Sequence, residues 1–391
     1  MTKKNKIAAQ LTGFLIGAVG GFFAITFLPS LGLQNILAGL TLLVLGFIFH
    51  IFIHEFGHLI AGKMSGYGFV SIRFFNFTIV NKDGKLIRKK FKVVGTLGQC
   101  LMSPPKQING NYPFILYNLG GGLMNFIFSA VFVACYFIFS SFSGAWAFNL
   151  LAAIGVFIGL LNIVPLNLGI PNDGHNALNL GKNEVTRCAF WSSLNVNALM
   201  SQGFRHRDIP IEQYFFDNNI DLYDKNSNTL LINVAAQHFE RLIDKHEFAE
   251  AKAFGENLLS KAEKMIEIHK NELRCELLFL ELIGECNKEE IERLYTENLK
   301  KYIKATSIYT SRQRLLYAYA KLFLNDATEV ANLLAKFNKT CLSHPFDGEI
   351  IRDRELIALV DDLANKSSTH GTRSTGDSEI EITSFVSSDF S

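Results

Sequence analysis

Between Gln107 and Asn172 the chain carries no Asp, Glu, Lys or Arg, and between Ile7 and Gly62 it carries one, Glu55. A water-soluble domain exposes charged side chains along its outward faces, so tracts of this length cannot coat one. Each is long enough for two bilayer crossings at about 20 residues per helix. The predicted spans are Ile7–Leu28, Ile36–Gly62, Pro113–Phe142 and Ala145–Leu166. Lys3, Lys4 and Lys6 precede the first, as in a signal peptide. That apolar run is too long for an ordinary h-region and lacks a convincing small-residue cleavage site, so a retained anchor over residues 1–35 is expected.

The loop between the second and third spans holds Lys63, Arg73, Lys82, Lys85, Arg88, Lys89, Lys90, Lys92 and Lys106 against the single acid Asp83. By the positive-inside rule this loop and both termini are cytoplasmic. Within residues 63–112, FVSIRFFNFTIV and KLIRKKFKVV read as extended runs joined by the turn signal NKDG, which predicts a β-hairpin. Basic, aromatic and tied to the membrane at both ends, it suits an anionic inner leaflet. From residue 183 to 366 the composition changes: acids return, and TLLINVAAQHFERLIDKH and SIYTSRQRLLYAYAKLFL show helical periodicity without an internal repeat. This predicts a cytoplasmic all-α domain for partner binding or regulation, followed by a disordered Ser/Thr-rich tail over 367–391. Basic residues of the tail alternate with acids, which argues against a nucleic-acid surface. The six cysteines form no CxxC pair, and at most Cys135 approaches the outer face, so no disulfide is expected.

The chain is therefore expected to be an α-helical polytopic membrane protein, with about four transmembrane helices and a membrane-associated β-hairpin, plus a C-terminal cytoplasmic all-α domain.

The one charge in the first two spans falls inside HIFIHEFGHLI, where His54, Glu55 and His58 form H-E-x-x-H. On a helix, residues i and i+4 lie one above the other, so the two imidazoles project toward a common point. Two such donors clamp a zinc ion, and the glutamate between them is placed to hold and deprotonate a water there. Buried histidines satisfied by hydrogen bonds would be the bland explanation, but ionisable groups in a membrane span are costly and mark function. The motif ends four residues before Gly62, placing it about 6–12 Å inside the cytoplasmic helix end. His50, one turn earlier, reads as a packing or water-bonded residue, or as a support to the ligands.

A catalytic zinc site usually takes three protein ligands and keeps one open position. The fourth span ends in NIVPLNLGIPNDGHN, where Pro165 and Pro171 break the helix and free the chain to turn back into a cavity. Asp173 is the predicted third ligand, with His175 as its rival; Asp173 could instead merely cap the helix beginning at His175.

HEFGH near the cytoplasmic end of one span, and Asn162-x-x-Pro165 followed by Asp173-Gly174 after a later one, resemble the site-2 protease family of intramembrane zinc metalloproteases. GGGLMNFIF in the third span is similar to the family's Gly-Pro-x-x-Asn segment, with Gly121, Gly122 and Asn125 in the corresponding places. The spacer between Pro165 and Asp173 is longer than the family's usual one, and Gly122 stands where a proline is common. The resemblance covers roughly residues 36–180, within an expected intramembrane metalloprotease core over 36–182. It implies one Zn2+ per chain held by His54, His58 and Asp173, Glu55 as the catalytic base, and Asn125 and Asn162 as candidate oxyanion or substrate-backbone donors. It further implies an integral protein of a bacterial cell membrane whose substrate is a membrane-spanning protein or peptide, received as a strand by the loop over 63–112. The alternatives are a non-catalytic, zinc-stabilised receptor or scaffold displaying the helical domain, and a metal transporter. The first would not need Glu55, and the second needs ionisable groups across the whole bilayer, which this sequence lacks on the outer side.

Overall fold

The computed structural model describes residues 33–91, 96–166, 171–214, 229–260 and 265–370. The span expected at Ile7–Leu28 and the chain beyond residue 370 lie outside these. Three described helices are long and apolar enough to cross a membrane: α1 (Leu33–Met64), α2 (Ile115–Ile138) and α3 (Trp146–Ile163). They match the second, third and fourth expected spans. The α3 helix stops before Pro165, and Val164 is already extended at ψ 122°, as the residue preceding a proline prefers.

These three helices pack on one another with an inside-out distribution of side chains. The α2 helix buries Tyr117, Asn118, Gly121, Gly122, Asn125 and Ser129, while Ile127, Val131, Val133, Phe137 and Ile138 face outward. Small and polar residues make the contacts between these helices and large apolar ones point outward, the distribution expected of helices that pack in lipid. In water the same surface would be an exposed apolar patch. The α1 and α2 backbones touch: a methyl group at Gly57 would lie 2.3 Å from the Gly120 carbonyl oxygen.

Between α1 and α2 lies an antiparallel sheet of β1 (Gly68–Phe74), β2 (Phe77–Lys82), β3 (Lys85–Lys90) and β4 (Gly98–Ser103), in the order β3-β2-β1-β4. The single hairpin expected here is corrected. FVSIRFFNFTIV folds back on itself at Phe75 and Asn76, with Phe74 opposite Phe77 and Phe75 at φ 54°, and so supplies two strands. The NKDG turn stands where expected: Asp83 (φ 51°) and Gly84 (φ 79°) are both left-handed, as a two-residue type I′ hairpin requires. GQCLMS forms β4 by pairing with β1 and burying Cys100, Leu101 and Met102. The sheet seats on α1, where the Phe74 ring stacks on Phe52 at 4.0 Å between centroids. At the far edge, the basic β3 is exposed.

The remaining helices are α4 (Asp173–Lys182), α5 (Glu184–Ser201), α6 (Thr229–Asp244), α7 (Phe248–Ser260), α8 (Glu267–Ile283), α9 (Lys288–Leu294), α10 (Glu297–Ala305), α11 (Thr310–Ala318), α12 (Ala327–Cys341) and α13 (Asp347–His370). No break in packing occurs at residue 183: Leu180, Leu194 and Leu230 share one core with Tyr67, Ile72 and Met102 of the sheet side. A second core surrounds Phe239, Phe279 and Phe337. Within it Arg312 and Arg314 are fully buried and paired with Glu272, Glu276 and Asp353. Such charges cost several kcal/mol each to bury and are tolerated because each is paired. The helical domain rests on the sheet through a Lys82–Asp347 ion pair and through Phe91, which meets His344 edge-on at 5.3 Å. The α13 helix continues to His370, past the expected boundary at 366.

Candidate metal centre

His54 and His58 lie on successive turns of α1, their ring centroids 4.7 Å apart. The α1 helix alone does not fix which nitrogen faces inward; the neighbours do. His58 Nδ1 sits 2.8 Å from the Tyr117 carbonyl oxygen, which can only accept, so Nδ1 carries the proton and Nε2 presents its lone pair. A hydrogen bond of this kind at the remote nitrogen is what orients a metal-ligating histidine. On the other ring, His54 Nδ1 lies 3.3 Å from the Asn125 amide. Room for this ring comes from Gly121, where a methyl group would lie 2.5 Å from His54 Cε1.

The third corner is Asp173. Its Oδ2 lies 3.2 Å from His54 Nε2 and 3.3 Å from His58 Nε2, and the two Nε2 atoms are 3.1 Å apart. A tetrahedral zinc with bonds of about 2.0–2.1 Å separates its ligand atoms by roughly 3.3 Å. The triangle therefore has the size of one face of that tetrahedron. Two imidazole nitrogens and one carboxylate oxygen are also a donor set that zinc accepts. The residues fit the metal in type and in spacing, and His54, His58 and Asp173 are the one such group of three found among the described residues.

Asp173 is free to serve because a different residue caps its helix. Asn172 accepts from His175 N at 2.9 Å and from Leu166 N at 3.0 Å. Its amide donates to Leu161 O at 2.6 Å and Val164 O at 2.7 Å. One side chain thus closes the C-terminal end of α3 onto the N-terminal end of α4, satisfying groups that the break at Pro165 leaves open. Gly174 permits the approach: a methyl group there would lie 1.9 Å from Ile163 O. The helix accordingly starts at Asp173 rather than His175, and His175 does not join the triangle.

Glu55, 7% exposed, is covered by the start of β4, where a methyl group on Gly98 would lie 2.3 Å from its Oε1. That cover is held from β1: Arg73, also buried, donates to the carbonyls of Phe75, Thr96 and Gly98 and to the Thr96 hydroxyl. Asn125 is fully buried beside His54, whereas Asn162 donates to Ile158 O at 2.9 Å inside its own helix. His50 is also fully buried, with Nδ1 3.1 Å from the Asn125 amide and Nε2 3.0 Å from Leu151 O. Beside the centre, a cavity of about 570 Å³ opens between the sheet and the helical domain, lined among others by Thr96, Pro171, Asn176, Glu240 and His344.

The structure brings together His54, His58 and Asp173 of the residues singled out in the sequence, with Glu55 beside them, and adds the parts that hold them, which sequence reasoning missed. Asn172 was visible as an Asn before Asp-Gly, a cap signal; the Tyr117 carbonyl and the Gly98 backbone carry no side-chain signal at all. Comparison with protein families, with curated proteins and with solved structures found no match.

Proposed function

We propose that this chain is an intramembrane zinc metalloprotease of the site-2 protease kind, hydrolysing peptide bonds within or beside the membrane segments of protein or peptide substrates. The observation that carries this reading is the convergence of His54 Nε2, His58 Nε2 and Asp173 Oδ2 on one point, with Glu55 next in sequence to a ligand and shielded from bulk water. Zinc held there supplies a Lewis acid that brings the pKa of a water toward 7 and polarises the scissile carbonyl. Glu55 takes the proton from the attacking water and returns it to the departing amine. Its cover at Gly98 excludes competing solvent, which strengthens electrostatic interactions within.

A helical substrate hides its carbonyls in i to i−4 hydrogen bonds, so it must unwind before attack, and Gly, Pro or Asn in the membrane segment favours cleavage. The sheet is the natural receiver of the unwound strand, because β4 begins over Glu55. Asn162, at the last turn of α3, is the better placed of the two asparagines to meet substrate backbone, since Asn125 is enclosed by two imidazoles. The inside-out packing of α1–α3 supports an integral membrane location, and the exposed basic β3 supports a cytoplasmic, leaflet-facing sheet. The helical domain, seated on that sheet, is read as the docking place of a regulatory protein.

The test is Glu55→Gln, with metal content measured alongside membrane-protein fragments in cells. The substitution keeps size and hydrogen bonding but cannot accept the proton. Zinc is expected to stay at the wild-type level while fragments tied to the intact chain disappear; unchanged fragments with zinc retained would leave a receptor or scaffold as the better reading.

A further inference from the structure

His50 is a histidine fully enclosed at the centre of the helix bundle, edge-on to Phe49 and Phe132 at 5.4 and 5.9 Å. The enclosure is built around it: a methyl group at Gly155 would lie 2.3 Å from His50 Cε1. Its two nitrogens meet two partners, the Leu151 carbonyl at 3.0 Å and the Asn125 amide at 3.1 Å. The opposite end of that amide meets His54 Nδ1 at 3.3 Å. Leu151 O, His50, Asn125 and His54 thus form one continuous chain ending at a metal ligand.

The protons in this chain can be placed by elimination. Leu151 O only accepts, so His50 Nε2 carries a proton and a neutral His50 offers a lone pair at Nδ1. In the structure Asn125 Oδ1 lies 3.1 Å from His50 Nδ1 and Nδ2 lies 3.3 Å from His54 Nδ1; the proton placement calls for the amide turned by 180°, with Nδ2 toward His50 and Oδ1 facing His54. That oxygen accepts from His54 Nδ1, and the His54 lone pair is left at Nε2, the atom aimed at Asp173 and His58. With the amide left unturned, a neutral His50 would face the Leu151 carbonyl with a bare Nε2 and a proton would occupy His54 Nε2. Amide oxygen and nitrogen have nearly the same shape, so the hydrogen-bond partners select the orientation.

We propose that His50 is a positioning residue for the metal centre, fixing the tautomer and ring plane of His54 through Asn125. This rests on the reading that His54, His58 and Asp173 hold a metal, and it does not depend on what the metal does. It gives His50 a task that the H-E-x-x-H motif does not include: the helix carries a third histidine, one turn before the first ligand, that acts on the metal without touching it. Outer partners of metal-bound histidines typically contribute 10–100-fold in metal affinity.

The experiment measures zinc affinity of the full chain in detergent by chelator competition, together with the visible spectrum of the cobalt-substituted protein. His50→Phe fills the same space without nitrogen; about tenfold weaker zinc binding and a shifted cobalt spectrum are expected. His50→Gln offers a carbonyl to the Asn125 amide and an N–H to Leu151, and should recover most of that loss. In an Asn125→Ala background, His50→Phe should add almost nothing, because the link is already cut. Should His50→Phe fail to accumulate, His50→Leu serves the same comparison. Wild-type affinity and spectrum in His50→Phe, equal losses in Phe and Gln variants, or a full additional loss on Asn125→Ala would each overturn the proposal. Absence of zinc and cobalt binding by the wild type would overturn it together with the metal reading. If zinc affinity follows the expected pattern while Glu55→Gln leaves all fragments unchanged, the proteolytic reading fails and the role of His50 stands.

Discussion

Asn172→Ala tests the junction that delivers Asp173. The side chain makes four hydrogen bonds, two accepted from His175 N and Leu166 N and two donated to Leu161 O and Val164 O. Each is worth about 1 kcal/mol net, the helix cap included. The site is only half-buried, so water replaces part of that, leaving about 2–3 kcal/mol. In the native chain this energy orders the turn that holds Asp173 Oδ2 within 3.3 Å of both imidazoles. Without it, metal binding must supply the ordering, and at 1.4 kcal/mol per factor of ten the zinc dissociation constant should rise roughly 30–100-fold. Asn172→Ser keeps the cap acceptor and loses the two donors, so it should fall between, near tenfold. The assay is chelator competition on purified protein in detergent, with circular dichroism to show that the helices persist. Zinc binding by Asn172→Ala within threefold of wild type, with helices intact, would refute the reasoning that this side chain pre-orders Asp173.

Gly121→Ala should abolish stoichiometric zinc, read by elemental analysis, while leaving helix content unchanged: alanine suits a helix, but its methyl would lie 2.5 Å from His54 Cε1 and displace that ligand. Away from the membrane, His206 is 5% exposed beside the Tyr214 hydroxyl, and burial, aided by Arg352, pulls its pKa down to about 4. Its stability contribution is therefore complete above pH 6.5, the unfolded value, and declines as pH falls toward 4. Relative to a His206→Gln variant, the wild type should lose about 3 kcal/mol between pH 7 and pH 4 in urea unfolding; a difference independent of pH would show that His206 is not held neutral.

The fold was legible where the chain solves one dominant physical problem. Charge-free runs predict long apolar helices, and α1, α2 and α3 stand where hydropathy put them. Turn chemistry was equally plain at Asp83–Gly84, where both residues take the left-handed conformation that the Asp-Gly pair accepts at low cost. The turn at Phe75–Asn76 was hidden because no local preference announces it: a phenylalanine at φ 54° is unfavourable by itself and is imposed by its surroundings. Phe75 N bonds to Leu97 O at 2.7 Å, and Phe74 next to it stacks on Phe52. The fourth strand was hidden for the same reason, since Gly98–Ser103 becomes a strand through pairing with β1 rather than through its own residues.

The site divides along a similar line. The candidate ligands could be read because metal chemistry restricts which residue types serve and at what spacing; a histidine pair four apart on a helix has few other reasons to flank a glutamate inside an apolar run. Asp173 was found by asking what donor the pair lacked. The supports could not be found this way, because a backbone carbonyl at Tyr117, a missing methyl at Gly121 and the bare backbone of Gly98 act by position and not by functional group. Asn172 and Asp173 show how the two kinds of information interlock. Both residue types are favoured at helix starts, and the sequence reading weighed only Asp173, as ligand or as cap, without considering Asn172. In the fold Asn172 has both a donor and an acceptor end and so can close two helix termini at once, a task a carboxylate cannot perform. That assignment of the amide to the backbone is what leaves the Asp173 carboxylate facing the two imidazoles.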